Sequence, residues 1–457
     1  MKTMEWQALL DTRRLGGRKP KTEAGRSPFN SDHDKVIFSG AFRRLARKTQ
    51  VHPLATNDHV HNRLTHSLEV ASVGRSLGIR IGQALKLRGD LPNDMEASDI
   101  GDIVQTACLA HDIGNPPFGH TGEDAIRQWF TQESSRPFMK QLDEKERRDL
   151  EHFEGNAQGL RLLTTSEYHP HDGGMRLSYA SLAAFIKYPW TAGPAISGNR
   201  PKRNKYGIFQ SELHLFHEIA EATGLIRRGK DWYSRHPLVH LMEIADDFCY
   251  GLIDLEDGIE MGILEWEEVY AILEPILDQK KKAALAADLK AVRPRYRPPL
   301  IRGKVISAFV EDATNAFIEN RSLVLEGGCD ELLPLCGATV RTCVEKAKNL
   351  AKDKVFSHPR KIELEIGAYS TIATILDVLC HAAVAPPGKK KPMDFRSKRA
   401  IDLMGADTFN LRKITSRKYN NSVEYLSLMR VLDYVSGMTD NYALHLAKQF
   451  TGFGGIR

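Results

Sequence analysis

The apolar stretch Ile103 to Ala110 runs directly into His111-Asp112, and the residues that follow, Ile-Gly-Asn-Pro-Pro-Phe-Gly-His, stop any helix at once. Gly114 ends a helix readily, and Pro116 and Pro117 cannot continue one, because proline lacks the amide donor and its ring collides with the preceding turn. The backbone is therefore held firmly where an imidazole and a carboxylate stand side by side. Only such a junction lets two adjacent residues meet one divalent cation. A 457-residue chain with 17 histidines contains His-Asp pairs by chance, so the pair alone decides little. Three further features add to it: His66 in Arg63-Leu-Thr-His-Ser-Leu-Glu-Val, Asp246 in Leu-Met-Glu-Ile-Ala-Asp-Asp-Phe, and His120 with Glu123 just downstream. Together they supply two imidazoles and two carboxylates for a metal, with a separate acid/base pair beside it.

Strand signals are scarce and helical periodicity is widespread, which predicts an all-α protein. Arg13 to Asp34, rich in Gly, Pro and charge, reads as an irregular arm, followed by a helix from about Asp34 to Lys48. Further helices are expected over Leu64 to Leu87, Ile100 to Ala110, Thr121 to Phe130, Gly155 to Leu163, Tyr179 to Lys187 and Leu238 to Ile259. Beyond them, Trp266 to Ala287, Leu300 to Ile318, Val340 to Lys352, Leu364 to His381 and Ser422 to Phe450 have the same character. Thr191 to Tyr206 reads as a loop suited to closing over an anion, and Ala385 to Lys391 as a Pro/Gly/Lys linker or exposed loop. No internal repeat is visible. The length exceeds what one hydrophobic core usually serves. The expected division is an arm and helix contributing to the site (1–55), a core (56–262) and a C-terminal helical region (263–457).

With 42% hydrophobic residues the chain can bury a core, while no apolar run approaches the length of a membrane span and the N-terminus lacks a signal-peptide apolar region. The expectation is a soluble, cytoplasmic protein with no membrane partner. Cys108, Cys249, Cys329, Cys336, Cys343 and Cys380 lack the close pairing of a zinc ribbon and read as reduced, mostly buried thiols. The net charge of +6 is spread unevenly, with basic clusters at Arg13–Lys21, Arg43–Lys48, Arg200–Lys205, Lys280–Lys282, Arg293–Lys304 and Lys389–Arg399. Each is most simply a solvated face. A polyphosphate would need a few such cations converging on a site, and nucleic acid a continuous track.

Each site residue also has a plainer reading. Asp246 sits in a largely apolar helix, where a buried carboxylate is costly without a partner; a metal is one partner, and water on a face shared with Glu243, Asp247 and Asp254 is the alternative. A lone histidine such as His66, on a mostly apolar helix, is often a satisfied core residue, and His52, His59 and His61 are rival ligands. Glu123 lies one helical turn after His120, a spacing that lets the carboxylate orient the imidazole; the plainer reading is a favourable acid early in a helix. Two His and two Asp suit Mn2+ or Mg2+ first, with Fe2+, Co2+ and Zn2+ as alternatives, and such a centre binds a phosphate oxygen and acidifies a bound water.

These residues resemble the HD-domain phosphohydrolases, in which a His, a His-Asp pair and a distant Asp hold one metal, and in particular the deoxyguanosine triphosphate triphosphohydrolase-like (dGTPase-like) branch. The likeness is carried by Arg63-Leu-Thr-His66-Ser-Leu-Glu-Val, His111-Asp-Ile-Gly-Asn-Pro-Pro-Phe-Gly-His120-x-Gly-Glu123, Phe153-Glu-Gly-Asn-Ala157, Lys187-Tyr-Pro-Trp190 and Asp246-Asp-Phe-Cys-Tyr250-x-x-x-Asp254-Leu-Glu-Asp257. Asp433-Tyr-Val-Ser-Gly-Met-Thr-Asp440 extends it almost to the C-terminus. The resemblance implies an HD-domain helical core with an N-terminal arm and additional C-terminal helices. It selects His66, with His111, Asp112 and Asp246, as the metal ligands. It implies His120 and Glu123 as the groups handling the attacking water, and His152 as a second histidine that protonates the leaving oxygen. It also implies Arg63 and Lys187 as phosphate contacts, and Gln50, Tyr250 and Asp254 as contacts to the deoxyribose. The implied activity is hydrolysis of deoxynucleoside triphosphates, dGTP among them, to deoxynucleoside and tripolyphosphate. A tetramer or hexamer, and single-stranded DNA or a nucleotide as effector, belong to the same implication. Two alternatives stand beside it: an HD hydrolase of nucleoside monophosphates or cyclic nucleotides, and a nucleic-acid-binding or nucleotide-sensing protein with a vestigial site.

Overall fold

The computed structural model describes residues 2–20, 23–51, 59–166, 174–193, 205–384, 393–405 and 421–453. Helices dominate, and the sheet structure among these residues is one short antiparallel hairpin, Arg227–Gly229 with Trp232–Tyr233. The expected all-α class is thus observed, with the hairpin as a small addition.

The central packing unit is the antiparallel pair of helices Arg63–Arg88 and Ala97–Ala110. Asn62 begins the first by accepting hydrogen bonds from the Leu64 and Thr65 amides at 3.1 and 3.0 Å. Such a cap satisfies amides that the helix itself leaves free. Gly74, Gly78 and Gly82 recur every four residues and so share one face. A Cβ at Gly78 would lie 2.8 Å from the Gly101 Cα, and one at Gly82 would lie 2.6 Å from the Ala97 carbonyl oxygen. The two backbones are therefore nearly in contact along this seam. Helix Val239–Glu260 packs across the first of the pair, and helix Tyr179–Phe185 against the second.

Buried apolar residues form two clusters that do not follow chain order. One joins Met4 through Val51, Val70 through Ile113, Leu160 through Ile186 and most of Phe216 through Val355. The other joins Phe118 through Ala157 with Tyr188, Trp190, Phe209 and Ala368 through Ala447. The boundary falls inside the turn between Ile113 and Phe118, directly after the His-Asp pair.

Several expected helices are broken where a capping residue interrupts the periodicity. Ser27 caps a helix at Pro28–Ile37, so the region expected to be irregular already holds a helix start. The expected helix Asp34 to Lys48 divides at Ser39, whose hydroxyl accepts the Phe42 amide and starts Gly40–Arg44. Trp266 to Ala287 divides at Glu274–Ile276, and Asp278 caps Gln279–Ala291. Ser422 to Phe450 divides at Gly437, and Thr439 caps Asp440–Phe450. Helices Glu144–Glu151 and Leu213–Ala222 went unread in the sequence. Most of the loop Thr191 to Tyr206 and the linker Ala385 to Lys391 lie outside the described residues. All six cysteines are free thiols and buried.

Helix Pro359–Val384 corrects the reading that no segment reaches the length of a span: its 26 residues have a window of mean hydropathy 1.4, long and apolar enough to cross a membrane by length and composition. Tyr, Ser, Thr and Asp residues interrupt its apolar runs, which is why no single run drew notice. In the fold it packs on helices Gly119–Thr131, Phe395–Met404, Val423–Ser436 and Asp440–Phe450, and its Asp377 accepts the Trp129 indole N–H at 2.8 Å.

Arg161, buried, bridges Glu212 at 2.6 Å and Asp433 at 2.8 Å, and Gln158 donates to the same Asp433 oxygen at 2.9 Å. Asp433 thereby ties helix Gly155–Arg161 to helix Val423–Ser436. Removing one partner of a buried ion pair leaves an uncompensated charge, which costs about 3–5 kcal/mol. Asp433→Ala is expected to lose stability on that scale in urea unfolding; a loss below about 1 kcal/mol, the scale of an exposed pair, would show that the bridge is solvated.

Candidate metal centre

His66 occupies the first turn of its helix and His111 the C-terminal cap of the next, so the antiparallel pairing brings both imidazoles to one end. Their ring centroids lie 5.4 Å apart. The His66 Nε2 is 3.1 Å from Asp246 Oδ1, and the His111 Nε2 is 3.6 Å from that oxygen and 3.7 Å from Asp112 Oδ2. One ligand atom each from His66, His111 and Asp112 fall within 4.8 Å of one another. All four sequence-predicted ligands are thus brought together.

The donor set fits a divalent cation in detail. The His111 Nδ1 lies 2.6 Å from the Cys108 carbonyl oxygen, which accepts only from a protonated nitrogen, so Nε2 carries the lone pair and faces the centre. Asn115 donates to Asp112 Oδ1 at 2.5 Å, while Asp112 Oδ2 is buried without a hydrogen bond. Arg63 Nη1 lies 2.8 Å from that second oxygen as an ion pair lacking hydrogen-bond geometry. Burial pushes the Asp112 carboxyl up, but Arg63, His111 and His66 outweigh it and bring it down to about 2. Asp246 likewise is opposed by burial and held well below the usual carboxylate range by His111 and His66. Both carboxylates are held in the ionised form.

Of the rival histidines, His61 is engaged by other carboxylates. His61 Nδ1 meets Asp257 at 2.6 Å and its Nε2 lies 3.4 Å from Glu69; His52 lies outside the described residues. The solvated-face reading of helix Val239–Glu260 fails, because Glu243 and Asp254 are 5% and 1% exposed and Asp247 pairs with Lys348 at 2.7 Å.

His120 lies in the first turn of helix Gly119–Thr131, across the apolar boundary, and its Nδ1 lies 3.1 Å from Glu123 Oε2 while its side chain is 77% exposed. Glu123 is buried and also accepts the Gly155 amide at 2.7 Å. Burial opposes its charge, but His120, Lys205 and Arg127 bring its carboxyl down to about 2. Glu123 is therefore a fixed anion, and His120 presents its other nitrogen outward. His152 is exposed at the end of helix Glu144–Glu151, three residues before Gly155.

The predicted substrate contacts surround the four ligands. Arg63 N donates to the Lys48 carbonyl at 3.1 Å and Thr49 bridges Asn62, so Gln50 runs beside the helix start that carries Arg63 and His66. Lys187 lies 3.5 Å from Glu243, which also holds Arg235 at 2.8 Å. Burial opposes the Lys187 charge, and Glu243 and the nearby Tyr188 raise its affinity for a proton beyond that. Asp254 is pushed up to about 8, mainly by burial, with Asp257 and Asp246 adding to it and His66 opposing. Tyr250 tilts against Phe356 with centroids 5.7 Å apart. Arg235 and Phe356 carry no signal in the sequence, and Glu243, one turn before Asp246, reads there only as part of a solvated face. Four buried polar atoms here lack a hydrogen-bond partner: Gln50 Oε1, Arg63 Nε, Asp112 Oδ2 and Asp254 Oδ2.

A family model described as HD domain matches residues 63–182, the segment holding His66, His111, Asp112 and His120. A deoxyguanosinetriphosphate triphosphohydrolase-like protein of Pseudomonas aeruginosa (strain LESB58) is 46% identical over 457 residues, covering 98% of this chain and 99% of the relative. The chain belongs to the deoxyguanosinetriphosphate triphosphohydrolase-like family. A relative with the same description from Synechocystis is 36% identical over 98% of this chain and 99% of its own length. A Salmonella schwarzengrund protein described as deoxyguanosinetriphosphate triphosphohydrolase is 31% identical over 91% of this chain and 92% of its own. Membership makes the chain an HD-domain phosphohydrolase, a class that depends on a metal.

Replacing Asp246 by Ala removes a carboxylate that faces both imidazoles. Metal retained after dialysis, measured by elemental analysis, is expected to fall from one ion per chain to near zero with the helical CD spectrum preserved. Undiminished metal in that variant would take Asp246 out of the centre.

Proposed function

We propose that this chain is a metal-dependent deoxynucleoside triphosphate triphosphohydrolase: water attacks the α-phosphorus, the bond from phosphorus to the 5′-oxygen breaks, and deoxynucleoside and intact tripolyphosphate leave. The observation that carries the reading is the group of four buried polar atoms without a hydrogen-bond partner on Gln50, Arg63, Asp112 and Asp254, four residues expected from sequence to meet metal or substrate. Buried polar groups are ordinarily paired, so such a set is the signature of a site built for a polar ligand.

His66, His111, Asp112 and Asp246 would hold the ion, and a bound divalent cation would supply polarisation of a phosphate oxygen and acidification of water. Mn2+ or Mg2+ suits this nitrogen and oxygen set first, with Fe2+, Co2+ and Zn2+ as alternatives. Glu123 keeps a proton on His120 Nδ1, which leaves Nε2 free to accept the proton of the attacking water. His152 supplies a proton to the 5′-oxygen. Arg63 and Lys187 hold phosphate oxygens, the positioning that phosphoryl transfer depends on. Asp254 and Gln50 hydrogen-bond the 3′-hydroxyl, and Tyr250 closes on the sugar face where a 2′-hydroxyl would sit. The protein acts in the cytoplasm as a homo-oligomer, a tetramer or hexamer, with single-stranded DNA or a nucleotide as effector.

Chromatography of products after incubation with each dNTP and Mn2+ tests the reaction. Deoxynucleoside and tripolyphosphate in equal amounts are expected; release of monophosphate or inorganic phosphate would assign a different hydrolase. His120→Ala is expected to lower kcat by about 10² or more with metal content unchanged, the usual scale for a positioned acid/base group. Normal kcat would leave His120 as a helix-start residue.

Sugar selection provides a further check. A site whose polar groups are built around a hydroxyl rejects an analogue lacking it, because those groups are then left unpaired. Values of kcat/KM are expected to be far higher for dGTP than for GTP or the 2′,3′-dideoxy analogue, with the dGTP/GTP ratio reduced in Tyr250→Ala. Equal turnover of dGTP and GTP by the unaltered protein would end the assignment of Tyr250.

A further inference from the structure

The motif ending in Met438-Thr-Asp440 lies far from the metal ligands in sequence, yet its last residue touches two parts of the site. Asp440 is 2% exposed. Its Oδ1 accepts the Phe118 amide at 2.9 Å. Its Oδ2 accepts the Thr49 amide at 2.9 Å and the Thr49 hydroxyl. Phe118 lies between Asp112 and His120, and Thr49 directly precedes Gln50. One carboxylate therefore joins the turn that carries a metal ligand and the acid/base histidine to the segment that carries a sugar contact.

The turn needs such a tie. Phe118 has φ 64° and Gly119 φ 57°, two successive left-handed residues, the first of them bulky. A non-glycine residue in that region is sterically disfavoured and persists only where its surroundings hold it. Lys48 adds a second tie from the same corner: its Nζ, also buried, donates to the Asn115 carbonyl at 2.6 Å and the Ser436 carbonyl at 2.5 Å. Asn115 in turn donates to Asp112.

We propose that Asp440 is a positioning residue, whose carboxylate sets His120 and Gln50 at their working distance from the metal held by Asp112. The proposal rests on the roles given above to those three residues. It predicts a defect in turnover that exceeds the defect in folding, because a misplacement of about 1 Å can cost about 10² in rate.

The experiment compares full-length Asp440→Asn with the unaltered protein and with Thr439→Ala, which removes the cap of the same helix and leaves the carboxylate in place. For Asp440→Asn, kcat for dGTP with Mn2+ is expected to fall about 10²-fold with a smaller change in KM, at near one metal per chain. Hydrogen exchange at the Phe118 and Gly119 amides is expected to quicken about tenfold or more, since exchange follows local opening. Thr439→Ala is expected to keep kcat within about twofold, as capping acts on helix stability. An Asp440→Asn protein with unchanged exchange, or with kcat within about threefold of the unaltered protein, would overturn the proposal, as would an equal loss of kcat in Thr439→Ala. If Asp440→Asn does not fold, Thr49→Val deletes one donor to the carboxylate and is read by the same measurements against the same limits. If the unaltered protein hydrolyses no dNTP, the assigned reaction fails, and the exchange comparison still decides whether Asp440 holds the turn.

Discussion

The site depends first on how closely two helix backbones approach. Gly74, Gly78 and Gly82 present no side chain to helix Ala97–Ala110, where a methyl group at Gly78 or Gly82 would collide with backbone atoms. Large side chains at that seam would hold the axes at the ordinary 8–10 Å or more. Close approach over several turns fixes the register of the two helices, and register decides that the first turn of one meets the last turn of the other. His66 and His111 face each other for that reason, and Asp246 joins them because helix Val239–Glu260 lies across the same pair.

Much of this arrangement was legible from local chemistry. The apolar run ended by Gly114, Pro116 and Pro117 marks where His111 and Asp112 must stand, and the three-residue step from His120 to Glu123 gives their contact directly. Long-range partners were not legible. Glu243, Asp246, Asp247, Asp254 and Asp257 recur along one helix like a solvated stripe, and only tertiary packing shows that Glu243, Asp254 and Asp257 are buried and that Asp247 has a lysine. Lys48 closes a run of basic residues that reads as surface charge, yet it is 2% exposed and bonded to two carbonyls. Helix ends failed where Ser39 or Thr439 restarts a helix after a short break, since apolar periodicity persists on both sides of the cap.

The two apolar clusters divide the chemistry between them. The helices that carry or lead into His66, His111, Asp112 and Asp246 belong to one, and helix Gly119–Thr131 packs in the other. Charge on the second side is held locally: Glu123 takes the Gly155 amide and faces Lys205 and Arg127. An anion so surrounded stays ionised throughout the neutral range. It therefore acts on the imidazole as a constant field.

This division has a consequence for the order in which the protein becomes complete during synthesis. His66, His111, Asp112 and Asp246 all leave the ribosome before helix Pro359–Val384, which packs on helix Gly119–Thr131. Domains generally fold as their residues emerge. The nascent chain thus presents all four of these residues while the apolar face of Trp129 and Phe130 still lacks the cover of helix Pro359–Val384. A chain stopped short of that helix would carry the complete His/Asp set with that apolar face open to water.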